Sequence, residues 1–307
     1  MAETKSTCCY CGVGCGVVIE HEAGRITSVK GDPDHPANFG RLCTKGATLH
    51  LSSAQETLTA RALYPELRAT RDQARERVSW DTALDTAADR FAAIIAEHGP
   101  GAVAVYGAGQ LLTEDYYVFN KLMKGLIGSN NLDTNSRLCM SSAVAGYKLS
   151  LGTDAPPCSY DDIALTQALF ITGSNTAFAH PIVFRRVEDA RKANPDMKLV
   201  VIDPRRTDTA EAADLHLPLL PGTDIALYNA MLHIMLSEGW VNRDFVDAHT
   251  EGFDALKKIV REYTPAMAAT ICGLDRKAIE QAAQIFATSP ATMSMYCQGL
   301  NQFSFGT

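Results

Sequence analysis

Short apolar runs that alternate with helical patterns dominate the middle of the chain. Residues 168–172 and 199–202 are continuous apolar segments, typical of parallel strands buried on both faces, and residues 215–219 predict a third strand. Helices are predicted from Pro181, a favourable first helical residue, and over residues 225–238 and 276–287. Strands that alternate with helices in this way predict an α/β fold with a doubly wound parallel sheet.

The first 55 residues have a different pattern. Residues 15–19 and 25–30 alternate around Glu22-Ala23-Gly24 and predict a β-hairpin, and a turn-rich loop then leads to Cys43. A module this small buries little apolar surface, so a bound metal cluster would stabilise it. We therefore predict a small N-terminal β module at residues 1–55 that is stabilised by a bound metal cluster.

Two further α/β domains are predicted after this module. A helix follows Ser79, strands are predicted at residues 102–106 and 291–296, helices at 114–127 and 140–149, and a loop at 298–302. We assign residues 56–136 to the first part of an α/β domain that is resumed at about 290–307. Residues 137–289 form a Rossmann-like α/β domain in this scheme.

Composition narrows the classes of function. The 307 residues are 46% hydrophobic and 21% charged, as in ordinary globular proteins, and no apolar run approaches the length of roughly 18 residues that spans a bilayer. A net charge of −7 argues against nucleic acid or a membrane surface as a partner. The N-terminus shows neither a signal peptide nor a twin-arginine pair, so we expect a cytoplasmic protein. The sequence stops where more structure should follow, so we expect a fragment.

Nine cysteines are many for a chain in a reducing compartment, where disulfides are disfavoured. Cys8, Cys11 and Cys15 follow a C-x2-C-x3-C pattern, and Cys43 comes after 27 further residues. Four thiolates saturate one [4Fe–4S] cluster, which is the predicted cofactor. A structural zinc site is the alternative, although such sites usually have a second CxxC pair. Cys9 is a spare thiol that could replace Cys8.

Two segments carry a resemblance to a known family. CCYCGVGC at residues 8–15 and DTNSRLCMSSAV at 133–144 resemble the bis-molybdopterin guanine dinucleotide (bis-MGD) oxidoreductases, and within them cytoplasmic assimilatory nitrate reductases. The resemblance implies that Cys139 is the thiolate ligand of molybdenum and that Lys45 relays electrons between cluster and pterin. Arg137 could help to attract the anionic substrate, or it could pair with a carboxylate elsewhere.

The resemblance also implies that the loops after the predicted strands bind the bis-MGD cofactor, because parallel sheets bind ligands at the carboxyl ends of their strands. Asp224 could accept two hydrogen bonds from guanine, or it could cap a helix. No G-x-G-x-x-G motif is present, so a nicotinamide site is not indicated. The residues expected to contact the cofactor are Lys45, Gln110, Asn135, Cys139, Gly173, Ser174, Asn175, Asp203, Arg205, Thr207, Gly222, Thr223, Asp224, Gln298 and Gln302.

The implied reaction is reduction of nitrate to nitrite at a molybdenum bis-MGD centre, with electrons from ferredoxin, flavodoxin or an NADH-linked flavoprotein. Formate dehydrogenase uses the same scaffold, but there histidine typically follows the metal-binding residue, whereas Met140 follows Cys139 here. An alternative of another class is a non-catalytic iron–sulfur electron-transfer module or an inactive fragment.

Overall fold

The chain folds into two units, Met1–Ser136 and Arg137–Thr307. The structure is a computed structural model that describes residues 1–59 and 61–303. Residues 304–307, the end of the predicted return to the first α/β domain, lie outside the described residues.

An antiparallel sheet of three strands opens the first unit, in the order β1 (Ala2–Thr7), β2 (Gly16–Glu22) and β3 (Arg25–Gly31). Ala23 and Gly24 connect β2 to β3 with φ angles of 49° and 78°, the left-handed pair of a tight hairpin turn. The predicted hairpin is therefore present. The sequence analysis missed β1, because almost all of its residues are exposed and polar and give no apolar pattern.

Two buried polar side chains fix the loop that follows β3. Asn38 is 2% exposed; Gly16 N donates to its Oδ1 at 2.9 Å, and its Nδ2 donates to Gly16 O at 3.0 Å and to Arg41 O at 2.8 Å. Asp32 is buried and pairs with Lys5 Nζ at 3.0 Å. These contacts hold the chain before Cys43 against β1 and β2.

The rest of the first unit contains a long helix and two sheets of two strands each, one antiparallel and one parallel. Its elements are α1 (Thr44–Ala47), α2 (Gln55–Leu58), β4 (Glu66–Leu67), β5 (Glu76–Arg77), α3 (Trp80–His98), β6 (Val105–Gly107), α4 (Thr113–Asn120), a π-helical turn (Lys121–Ile127) and β7 (Leu132–Thr134). The Ser79 side chain accepts from Thr82 N at 3.1 Å and so starts α3 where it was predicted.

A four-stranded parallel sheet forms the centre of the second unit. Its strands are β8 (Ala168–Thr172), β9 (Lys198–Ile202), β10 (Leu215–Leu217) and β11 (Thr292–Tyr296), in the order β10-β9-β8-β11. Helix α5 (Asn135–Cys139) begins in the first unit and ends in the second. The other helices of the second unit are α6 (Ser141–Leu151), α7 (Thr176–Ala179), α8 (Pro181–Ala193), α9 (Asp208–Glu211), α10 (Asp224–Ser237), α11 (Arg243–His249), α12 (Phe253–Val260), α13 (Pro265–Cys272), α14 (Arg276–Thr288) and α15 (Gln298–Asn301). The predicted doubly wound α/β class is confirmed.

Alternate residues of the buried strands point to opposite faces of this sheet, as the strand period of two requires. Phe170, Val200 and Leu217 pack against α10, α13 and α14 in the main hydrophobic cluster. Leu169 and Val201 are also fully buried, but they are not part of that cluster. Apolar side chains on both faces explain why β8 is a continuous apolar run.

β11 differs from the predicted domain scheme. Thr292–Tyr296 pairs in parallel with Ala168–Thr172, so it belongs to the sheet of the second unit, whereas the sequence analysis returned the chain to the first α/β domain at about residue 290. The reason is that an apolar strand pattern carries no information about which sheet the strand joins. The domain boundaries of the whole protein stay a prediction. Among the described residues, no helix combines the length and apolarity needed to cross a membrane.

Candidate functional site

The N-terminal cysteines lie on one loop and its neighbouring segment in the first unit. Cys8 N donates to Cys15 O at 2.8 Å and closes the loop between them, while Gly14 turns it with a φ of 69°. Cys15 is buried, and Cys8, Cys11 and Cys43 are half-buried. Cys43 directly precedes α1.

The thiol groups of the four cysteines affect one another's pKa, so their side chains lie close together. Burial is the main cause that raises the pKa of Cys15 to about 11, and the thiols of Cys11, Cys8 and Cys43 raise it further. Burial also raises the pKa of Cys8, although the Tyr10 backbone N–H acts in the opposite direction. Bound iron would relieve this mutual repulsion, because thiolates are stabilised by a cation.

A [4Fe–4S] cluster and a single zinc ion place different demands on four cysteines. Within residues 1–59 and 61–303, no three His, Cys, Asp or Glu side chains converge closely enough to hold one ion. Four thiolates on one zinc ion would have to converge on a point about 2.3 Å from each sulfur. A [4Fe–4S] cluster instead takes one thiolate at each iron and tolerates a wider spacing.

Cys9 is the remaining cysteine of the N-terminal loop. It is exposed, and it does not contribute to the raised pKa of Cys15, which responds to the other three thiols. Cys9 does raise the pKa of its neighbour Cys8, so it lies close to the same thiols, and the possibility that it replaces Cys8 stays a prediction.

Three of the predicted cofactor residues, Gln110, Asn135 and Lys45, belong to the first unit. Gln110 Nε2 donates to the Tyr10 carbonyl in the cysteine loop at 2.6 Å, so its amide already has a protein partner. Asn135 Oδ1 accepts from Gly109 N. Lys45 lies half-buried in α1 and forms no ion pair with any other described residue. Its ammonium is free to face an anionic group.

In the second unit, the strand order predicts a ligand-binding crevice at the carboxyl ends of β8 and β11. Connections to β9 and β10 run to one side of β8, and β11 lies on the other side, which is the switch point where open α/β sheets bind ligands. Gly173 follows β8 with a φ of 56°, and Gly299 follows β11. Gly299 N donates to Gly173 O at 3.0 Å, and a Cβ on Gly173 would lie 2.7 Å from Gly299 Cα.

The loop after β8 partly matches its predicted role. Gly173 N donates to Ile202 O at 2.8 Å, so it is not available for an anion, contrary to the expectation for this loop. The N–H groups of Ser174 and Asn175 donate to no other group in the described part of the chain. Their side chains hold the loop: Ser174 Oγ pairs with Thr176 Oγ1 at 2.9 Å, and Asn175 Oδ1 accepts from Thr209 Oγ1 at 2.9 Å.

The loop after β9 contains one buried carboxylate and one exposed cation. Asp203 Oδ1 accepts from Arg205 N at 2.8 Å and is 9% exposed. The Arg205 side chain is exposed, whereas the neighbouring Arg206 is paired with Glu211 at 2.7 Å. Thr207 caps α9 by accepting from Ala210 N at 3.3 Å. Its hydroxyl therefore has a structural partner, and its contact with a cofactor stays a prediction.

Asp224 is a buried carboxylate at the start of α10. Thr223 is the N-cap residue of α10, so Asp224 is the first helical residue. The capping role that the sequence allowed for Asp224 therefore belongs to Thr223. Burial raises the pKa of the Asp224 carboxyl, its own backbone N–H lowers it, and the charge of Asp203 raises it. Thr223 Oγ1 donates to Leu220 O at 2.6 Å, and Gly222 turns the chain with a φ of 83°. A ligand that offers paired N–H donors would satisfy this carboxylate.

Cys139 lies at the end of α5, just before α6, and is half-buried. Gln302 Nε2 donates to its Sγ at 2.9 Å. Gln298 on α15 instead accepts from the Cys297 thiol through Oε1. Arg137 is exposed on α5. Cys139 and the segment after β11 are thus in contact in the second unit.

Two residues that the sequence analysis did not select belong to these sites. Asn38 holds the start of β2 beside Cys15, and no sequence signal marks it. Asn301 follows β11 with a buried Oδ1 that has no hydrogen-bond partner among the described residues. The sequence did offer a signal for Asn301, because it is a polar residue between Gln298 and Gln302 in a loop after a predicted strand.

Comparison with known proteins identifies the family. Residues 61–307 match the profile described as molybdopterin oxidoreductase, and residues 1–54 match the molybdopterin oxidoreductase Fe4S4 domain. The chain belongs to the molybdopterin oxidoreductase family. The predicted molybdopterin cofactor and [4Fe–4S] cluster are confirmed by these matches. The four grouped thiols fit the cluster, and the free N–H groups, buried Asp224 and unpartnered Asn301 Oδ1 fit a large polar cofactor.

Individual relatives include several oxidoreductases. The nitrate reductase of Klebsiella oxytoca is 47% identical over 307 residues, covering all of this chain and 34% of that protein. The periplasmic nitrate reductase of Desulfovibrio desulfuricans is 42% identical and covers 97% of the chain and 40% of that protein. Formate dehydrogenase H of Escherichia coli is 34% identical over the whole chain and 43% of that protein.

A solved structure shares the fold. The acetylene hydratase of Pelobacter acetylenicus superposes with a TM-score of 0.83 at 30% identity, covering 97% of this chain and 40% of that one. The chain thus spans between about a third and two fifths of the length of the proteins it matches.

Proposed function

We propose that the protein reduces nitrate to nitrite at a molybdenum bis-MGD centre that receives electrons from the [4Fe–4S] cluster. The observation that carries this proposal is the order of identities: nitrate reductases match at 40–47%, formate dehydrogenases at 33–35%. Met140 after Cys139 supports the same choice.

In this proposal each site has a separate task. Cys8, Cys11, Cys15 and Cys43 bind the cluster, and the free ammonium of Lys45 favours its reduced, more negative state. Cys139 offers a soft thiolate to molybdenum. When bound, the molybdenum centre supplies the two-electron transfer that removes one oxygen atom from nitrate.

The strand-end loops of the second unit hold the dinucleotide part of the cofactor. The free N–H groups of Ser174 and Asn175 suit a pyrophosphate, since oriented backbone amides bind anions. The carboxylates of Asp203 and Asp224 suit the N–H donors of guanine. Arg205 and Arg137 are exposed cations, and in the proposal Arg205 faces the cofactor and Arg137 draws nitrate inward.

The finer assignment to the cytoplasmic, assimilatory type rests on the resemblance of residues 8–15 and 133–144. The electron donor in this proposal is ferredoxin, flavodoxin or an NADH-linked flavoprotein. Cell fractionation tests the compartment, and nitrate-dependent oxidation of each purified reduced donor tests the partner.

The central experiment uses anaerobically purified full-length protein with an artificial low-potential donor. We expect nitrate turnover and iron together with molybdenum in the metal analysis. Cys139→Ala should abolish turnover without loss of the cluster. Cys158→Ala removes an exposed thiol from the same unit and should leave turnover unchanged. Full activity in Cys139→Ala would overturn the ligand assignment.

Formate oxidation is the second candidate, since formate dehydrogenases match almost the whole chain. Turnover of formate with no turnover of nitrate by the same preparation would replace the proposed substrate. Iron without molybdenum would favour an electron-transfer module instead.

A further inference from the structure

Gln302 is the one residue whose side chain donates a hydrogen bond to Cys139 Sγ among the described contacts, at 2.9 Å. The two residues are 163 positions apart, so this contact exists only because the segment after β11 returns to the corner between α5 and α6. The donor is a neutral carboxamide, and a thiolate is the strongest acceptor that a cysteine can present.

Further contacts fix the position of this segment. Ser142, on the first turn of α6, donates from Oγ to Asn301 O at 2.9 Å. On the other side, Gly299 N donates to Gly173 O at 3.0 Å. Tyr147 of α6 and Tyr296 of β11 have ring centroids 6.3 Å apart. The amide of Gln302 is therefore held against Cys139 by the fold and not by a mobile loop.

A hydrogen bond to a metal-bound thiolate has an electronic consequence. It withdraws electron density from the sulfur, so the thiolate donates less to the metal and the more electron-rich, reduced metal is stabilised. Hydrogen bonding around a cysteine ligand is a recognised determinant of reduction potential in other metal centres.

We propose that Gln302 is a positioning residue that raises the reduction potential of the molybdenum centre by donating a hydrogen bond to the Cys139 thiolate. The inference rests on the proposed role of Cys139 as the molybdenum ligand. It assigns to Gln302 a partner on the protein, in place of the contact with the cofactor that the family resemblance implies.

The test is a potentiometric titration of molybdenum in the full-length holoenzyme, followed by electron paramagnetic resonance. Gln302→Leu removes the donor, and we expect about a tenfold shift of the metal toward its oxidised state at a given potential, which is about 59 mV for a one-electron couple. Gln302→Glu keeps the size of the side chain but places a carboxylate at the sulfur, so the shift should be larger. Gln281→Glu, an exposed position on α14, should not move the potential.

The molybdenum content of each Gln302 variant shows whether the variant has lost the metal or has only changed its reduction potential. Gln302→Glu is the informative variant if Gln302→Leu does not retain molybdenum. Unchanged potentials in both Gln302 variants, together with an altered molybdenum spectrum in Cys139→Ala, would overturn this inference and leave the proposed function standing. An unaltered spectrum in Cys139→Ala would overturn the ligand assignment and this inference with it.

Discussion

Gly173→Ala tests whether the crevice between β8 and β11 depends on direct backbone contact. Gly173 has a φ of 56°, where an alanine costs about 1–2 kcal/mol. Its new Cβ would also lie 2.7 Å from Gly299 Cα and 2.9 Å from Leu300 N. These are backbone atoms, so relief requires α15 to move, and overpacking of this kind costs about 1–3 kcal/mol.

Gly239→Ala is the matched control. Gly239 has a φ of 72°, but a Cβ there meets no atom within 4 Å, so it isolates the conformational cost. Part of that cost is offset because alanine restricts the unfolded chain. We expect a net loss of about 1 kcal/mol for Gly239→Ala and about 2–4 kcal/mol for Gly173→Ala.

The assay is differential scanning calorimetry of the 307-residue chain. At about 2–4 °C per kcal/mol, Gly239→Ala should lower Tm by about 2–4 °C and Gly173→Ala by about 4–16 °C. A displaced α15 also carries Gln302 away from Cys139, so full-length Gly173→Ala should shift the molybdenum potential in the same direction as Gln302→Leu. Equal Tm losses in the two variants would refute the claim that the glycine pair sets the crevice.

Three further predictions concern single side chains. Cys15→Ser should lose the iron and sulfide of the cluster while Cys9→Ser retains them, and equal losses would mean that Cys9 is a ligand. Lys45→Met should lower the midpoint potential of the cluster and Lys45→Arg should preserve it, as measured by redox titration. Burial raises the pKa of Asp224 in the folded protein above its unfolded value near 3.8. The folded state therefore binds more protons at this carboxyl than the unfolded state does, and the free energy of unfolding falls as pH rises past that value. Asp224→Asn should therefore raise Tm at pH 7 but not below pH 3.8, and should lower the guanine dinucleotide content; a lower Tm at pH 7 would contradict the desolvation argument.

The elements best predicted from sequence were those with strong local signals. β8 was predicted with its observed bounds because both of its faces are buried and its residues form one apolar run. α8 begins at Pro181 and α3 follows its Ser79 cap, as expected. Such signals lie within a few residues of the element that they define.

Elsewhere the local pattern was ambiguous or silent. The strand predicted at 102–106 begins only at Val105, because Pro100–Ala102 forms a tight helical turn. Gln298–Asn301 is a short helix where a loop was predicted, because Gln298 and Asn301 gave no helical periodicity.

Long-range contacts were beyond any reading of local pattern. The bond between Gln302 and Cys139 depends on how β11 joins the sheet, which neither segment encodes by itself. For the same reason the contact between the Gln110 amide and the cysteine loop was not predicted. Cysteine spacing predicted the grouping of the four thiols because three of them lie within one loop.

The pairing of β11 with β8 also limits the order in which parts of the chain can fold during synthesis. Thr292 pairs with Ala168, so at about 5–20 residues per second a ribosome needs several seconds to more than twenty seconds to deliver the second strand after the first. The cysteine loop and Cys43 are complete long before that moment. The cysteine group can therefore form on a nascent chain, whereas the contact between the ends of β8 and β11 exists only after residue 299 has left the exit tunnel. We therefore expect the N-terminal cysteine group to fold before the sheet of the second unit is complete.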